Sequence, residues 1–156
     1  MRKPLLAAMA VALSLFTLNS CSKDDDGPSG GGNGKKAKIT FSVSSAFNKA
    51  EGDDFSVGVG AWNSGGFYVD WKVDGKTEKG TVVTVGSDYV NGGKSNVVVE
   101  SVQDFASGSV SISSFNISGA PFTVTYKVEV DGEIIDEKTV EVSADDADPL
   151  HKNYTL

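Results

Sequence analysis

The stretch PFTVTYKVEVDGEIIDEKTVEV, residues 121–142, decides the fold class. Phe122, Val124, Tyr126, Val128 and Val130 alternate with Thr123, Thr125, Lys127 and Glu129. A period of two puts every second side chain on one face of a strand, so one face is apolar and the other meets water. Asp131-Gly132 interrupts the pattern, and Ile134 or Ile135 through Val142 returns as the antiparallel partner. Asp-Gly between two alternating runs favours the tight hairpin turn whose central residues both need positive φ.

The same alternation runs outward from this hairpin. Ile39, Phe41 and Val43 form one run; Phe55, Val57, Val59 and Ala61 form a second; Phe67, Val69, Trp71 and Val73 form a third, closed by Asp74-Gly75. Thr81–Val85, Val97–Val102, and Val110 with Ile112, extending towards Phe115 and Ile117, supply the rest. The tail from Ala144 to Leu156 fits either a last edge strand or a loose end. Seven or eight short strands, with turns every eight to twelve residues, predict an all-β antiparallel sandwich, with a small barrel as the alternative.

Residues 67–76, FYVDWKVDGK, and 119–132, GAPFTVTYKVEVDG, resemble the C and F strands of immunoglobulin-like domains. Trp71 stands where the core tryptophan stands, and Tyr126-x-Val128-x-Val130 resembles Tyr-x-Cys-x-Val with valine for the cysteine. The pattern is most similar to the disulfide-free PKD and fibronectin-type modules. The resemblance spans residues 38–143 and implies an immunoglobulin-like sandwich, the domain being residues 38–156, with Trp71 in its core. Tyr126 is expected to be a buried ring whose hydroxyl meets backbone.

The N-terminus carries a different message. Arg2 and Lys3 precede the apolar run Leu5–Leu18, which is too short for a comfortable membrane span and has the layout of an export signal over residues 1–20. Leu18-Asn19-Ser20-Cys21 resembles the bacterial lipobox, which implies cleavage before Cys21 and its lipidation, palmitate included. Acyl chains contribute about 0.8 kcal/mol per buried CH₂, so several together hold a protein on a bilayer. Ser22-Lys23-Asp24-Asp25-Asp26 resembles the acidic export tag of Bacteroidetes-type surface lipoproteins, which implies display on the outer face of the outer membrane. The acidic run is not an EF-hand: counted from Asp24, the glycine position holds Ser29 and the bidentate glutamate position holds Lys35. The glycine-rich remainder of residues 21–37 has no apolar residue to bury until Ala37 and is expected to be a disordered tether.

Composition narrows the function. Without Arg2 and Lys3 the chain keeps 12 basic against 21 acidic residues, which argues against nucleic acid as a partner. The sole histidine, His151, and sole cysteine, Cys21, cannot furnish the three or four ligands zinc needs. Gly58-x-Gly60-x-x-Asn63 fails the dinucleotide fingerprint at its third glycine, so its glycines are expected to permit close packing or a bulge. Asp70, Asp74 and the loop acids read as solvating charges. Among the loop acids, Asp145, Asp146 and Asp148 are a candidate calcium cluster. No cofactor is expected.

Two aromatic residues stand apart. Trp62 has the opposite parity to Phe55, Val57, Val59 and Ala61, and Tyr68 has the opposite parity to Phe67 and Val69. Both are expected to face outward at either end of the loop 63–66, as a candidate ligand-binding pair. The expectation is a non-enzymatic surface module, met by a glycan or an envelope protein and held to the membrane by its lipid. The alternatives are a structural accessory subunit of an outer-membrane complex and a carboxylate-dependent hydrolase.

Overall fold

The structure is a computed structural model that describes residues 34–145 and 149–156. Ten strands form two antiparallel sheets: β1 Ala37–Val43, β2 Asp54–Trp62, β3 Trp71–Val73, β4 Lys76–Glu78, β5 Val83–Gly86, β6 Lys94–Ser101, β7 Ser107–Phe115, β8 Phe122–Val130, β9 Glu133–Val142 and β10 Leu150–Thr155. The larger sheet has the order β4-β3-β6-β1-β8-β9, the smaller β10-β7-β2-β5. Every connection crosses from one sheet to the other except the two Asp-Gly hairpins, β3–β4 and β8–β9. At those two turns Asp74 and Gly75 have φ of 47° and 82°, and Asp131 and Gly132 have φ of 53° and 81°. These are the paired positive values that a two-residue hairpin requires.

The alternating residues meet between the sheets. Ile39, Phe41, Val99, Val124, Tyr126 and Val128 from the larger sheet face Phe55, Val57, Val59, Val85, Val110 and Ile112 from the smaller, all buried. Phe41 and Phe55 pack with ring centroids 5.2 Å apart. Phe47 meets Phe122 edge-on at 5.1 Å and closes one end of the core. Trp71 is fully buried, and its Nε1 finds no acceptor among the described residues. The fold accepts that unpaired donor in exchange for burying the largest side chain available.

Several expectations need correction. Phe67 does not join Val69, Trp71 and Val73 in the core: it is 72% exposed, because β3 begins only at Trp71 and residues 63–67 form a loop. Phe115 ends β7 exposed, and Ile117 lies beyond it, also exposed. The Tyr126 hydroxyl meets side chains rather than backbone. The three-residue strand β4 carries no apolar alternation and had no sequence signal. Of the two fates open to the tail, the structure takes the edge strand: β10 pairs with β7 from Leu150 to Thr155. Strand order also differs from the immunoglobulin arrangement, where C and F are neighbours. Here β6 and β1 lie between β3, which carries Trp71, and β8, which carries Tyr126.

Gly58 and Gly60 permit close packing, as expected. A Cβ on Gly58 would lie 2.9 Å from Ser111 Oγ, and one on Gly60 would lie 3.1 Å from Val82 Cγ2.

Candidate functional site

β2 ends at Trp62, and the chain turns back within five residues. Asn63 builds the turn. Its Oδ1 accepts the Gly65 N–H at 2.9 Å and the Phe67 N–H at 3.1 Å. Its own N–H donates to Phe67 O at 2.9 Å, and its carbonyl accepts the Gly66 N–H at 3.0 Å. Asparagine folds a loop in this way because its side chain imitates a backbone carbonyl. Gly66 has φ of 79°, a conformation that costs most residues a Cβ clash. After the turn Tyr68 bridges back to Trp62, and the Val69 N–H donates to Ala61 O at 3.0 Å.

The turn carries three aromatic residues, two of which pack together. Trp62 and Tyr68 lie with centroids 5.1 Å apart and planes inclined by 37°. Tyr68 is 43% exposed, Trp62 is half-buried beside it, and Phe67 projects furthest. The backbone beneath is fixed: the Ala106 N–H donates to Trp62 O at 2.8 Å, and Trp62 pairs with Ser107. The sequence placed Trp62 and Tyr68 outward at one loop end, and the structure brings them together. It did not find Phe67, because strand parity was extended through a loop.

The carboxylates read as solvating charges turn out to be tied down. Asp70 is hydrogen-bonded to Gln103 and to the Gly80 N–H. Asp74 accepts the Val98 N–H at 2.9 Å and the Tyr89 hydroxyl at 2.8 Å, and pairs with Lys94 at 3.1 Å. Desolvation pushes the Asp74 carboxyl up, but these partners outweigh it and hold the group below its ordinary value. Lys94 also lies 3.9 Å from the centroid of the Tyr89 ring. Asp74 and Tyr89 border a groove of about 410 Å³ between the β3–β4 hairpin and β5, floored by Val73, Val83 and Val85. Glu78, on the same groove, pairs with Lys76 at 3.3 Å.

Other predicted residues fall elsewhere. Cys21 and the tag Ser22, Lys23, Asp24, Asp25 and Asp26 lie outside the described residues. So do Asp146 and Asp148. Asp145 is exposed after β9. Among the described residues no three His, Cys, Asp or Glu side chains converge as metal ligands. His151 sits on a paired strand rather than a loose tail, exposed, with Nε2 3.0 Å from the Asn153 amide.

A polar cluster that sequence reasoning missed joins the two sheets. Tyr126 on β8 and Tyr154 on β10 both direct their hydroxyls at Asp136 Oδ2 on β9, at 3.3 and 2.8 Å. The hydroxyls are 3.2 Å apart. The Tyr154 hydrogen bond is the main cause holding the Asp136 carboxyl below its ordinary value. Burial, then the Tyr126 and Asp136 contacts, raise Tyr154 far above a normal phenol.

No family model matches the chain, and no curated protein matches it. Solved structures of similar fold come from Bacteroides and Parabacteroides. A DUF4425 family protein from Bacteroides ovatus superposes with TM-score 0.52 at 16% identity, over 80% of this chain and 95% of that one. A DUF4425 domain from Bacteroides vulgatus gives 0.55 at 15% identity, over 81% and 96%. A protein from Parabacteroides distasonis, solved in a calcium-bound form, gives 0.53 at 19% identity, over 85% and 99%. At these identities the likeness establishes a shared fold.

Proposed function

We propose that this chain is a lipid-anchored surface module that binds a glycan through the hairpin at residues 62–68, without catalysis. The observation that carries the reading is the partly exposed Trp62–Tyr68 ring pair, on a turn that also exposes Phe67 and is fixed by four hydrogen bonds to Asn63. Exposed rings offer flat, weakly hydrated faces, and a rigid turn lets them bind without a large ordering cost. The N-terminal segment supports placement at a membrane: a lipidated Cys21 followed by a glycine-rich tether would hold the domain near a surface and raise its effective concentration there. The groups Asp70, Asp74 and Glu78 are each held by partners, an arrangement that suits structure better than proton transfer.

A glycan array probed with the full chain tests the reading. Trp62→Ala and Phe67→Ala should each abolish the bound spots while leaving the unfolding transition within about 1–2 kcal/mol of the parent. Binding that survives both substitutions would remove the hairpin from the site.

One observation favours a second reading, an accessory subunit that docks a protein. The edge strand β9 exposes Ile134 and Ile135 side by side, next to the bulge opposite Val128 and Glu129. An open edge strand can accept a partner strand through its backbone. Co-purification from membranes that is lost on Ile135→Lys, with the array silent, would select this reading.

A further inference from the structure

The turn between β1 and β2 ends on a carboxylate that the fold buries and only half satisfies. Asp53 is 3% exposed. Its Oδ2 accepts the Asn48 N–H at 2.8 Å, while its Oδ1, also buried, has no hydrogen-bond partner among the described residues. A buried carboxylate oxygen without a partner is costly, and a fold that fixes one in place needs something to offset it.

The surroundings add negative charge. A Cβ built on Gly119 would lie 3.0 Å from Glu51 Oε2 and 3.2 Å from Asp53 Oδ1. The two carboxylates therefore border the same space, the one a side chain at position 119 would fill. Lys49, the cation of this turn, is engaged by Asp88 at 2.5 Å. The opposite wall is held firmly. Asn116 is nearly buried; its Oδ1 accepts the Gly119 N–H at 2.9 Å and its Nδ2 donates to Ala120 O at 3.0 Å. The Ser118 hydroxyl donates to Glu51 O at 2.8 Å.

We propose that Asp53 and Glu51 bind a divalent cation of the calcium class against the 116–120 loop. Two carboxylate oxygens are hard donors, which suit calcium or magnesium and not the softer metals. Glu51 is exposed, so water can complete the shell on that side. Calcium accepts such irregular, partly hydrated coordination, whereas magnesium demands a near-ideal octahedron. The bound ion would staple the β1–β2 connection to the β7–β8 connection, two crossings between the sheets. This site is independent of the aromatic hairpin and differs from the acids at 145–148.

The test is a titration of the full chain, stripped with chelator, with calcium chloride and separately with magnesium chloride. The readouts are the unfolding midpoint and calorimetry. Calcium should raise the midpoint saturably, with half-effect at about 0.1–1 mM, the range of weak extracellular-type sites, and magnesium should act more weakly. Glu51→Gln, at an exposed position, should weaken calcium by about tenfold or more, and Asp53→Asn, which keeps an acceptor for the Asn48 N–H, should abolish the response. If Asp53→Asn does not fold, Glu51→Gln decides. No response of the parent up to about 10 mM calcium would overturn the proposal. A response unchanged in the variants would also overturn it, by placing the ion elsewhere.

Discussion

Single residues carry the links between the sheets. Tyr154 and Asp136 form one such link, and its pH dependence has a definite sign at each end. Asp136 has its carboxyl depressed below 3.8 in the folded state, so its contribution is present above that value and fades as acid protonates the folded group. Tyr154 has its phenol raised above 10.0, so its contribution is whole below that value and is lost as pH rises and the unfolded chain ionises first. Tyr154→Phe should therefore flatten stability at both extremes, as followed by urea unfolding across pH. Persistence of the alkaline loss in that variant would assign it to other groups. Trp71→Ala should cost about 3–5 kcal/mol as a large core truncation, measured by the same unfolding. Trp71 sits on an alternating run, so its inward parity was legible, whereas the tail that carries Tyr154 was open between an edge strand and a loose end. The company Tyr154 keeps was not legible: Asp136, Tyr126 and Tyr154 come from three strands whose pairing depends on the whole chain.

Elements were legible in proportion to their alternation. β1, β2 and β8 follow their apolar pattern closely, and both Asp-Gly turns stand where the dipeptide placed them. The pattern misled at Phe67, because residues 63–67 are folded by Asn63 rather than by pairing to a neighbouring strand. That makes Asn63 the residue to test in the hairpin. Asn63→Ala removes two side-chain hydrogen bonds and should cost about 1–2 kcal/mol, while loosening the rings and weakening any ligand held by them. A variant with parental stability and binding would show that the backbone hydrogen bonds alone hold the turn. β9 shows how the fold manages an open edge: Glu133, Asp136, Glu137, Lys138 and Glu141 line it, and the bulge at Val128/Glu129 breaks its register. Charges and a bulge discourage indiscriminate strand addition.

At the scale of the whole molecule, the sandwich and its N-terminal segment answer different questions. The layered core, which the chain enters at Lys35 and Ala37, explains stability, and the proposed anchor at Cys21 precedes it. If Cys21 is the lipid attachment site, Cys21→Ala should shift the protein from the membrane fraction to the soluble one. Retention of the unlipidated variant would sink the anchor. Replacing Asp24, Asp25 and Asp26 with alanine should reduce protease accessibility on whole cells while leaving acylation intact, as read by mass spectrometry.

Local chemistry alone specifies an all-β chain with two Asp-Gly hairpins and an apolar face on most strands. Those features depend on period-two alternation and on turn chemistry, both local. The tertiary structure decided the order of the strands, because all other connections cross between sheets and no local rule says which edge a crossing strand joins. It also decided the Trp62–Tyr68 ring pair, the Tyr126–Asp136–Tyr154 link and the half-satisfied Asp53. Each of these depends on groups brought together through loops or across layers, where a one-dimensional pattern carries no distance.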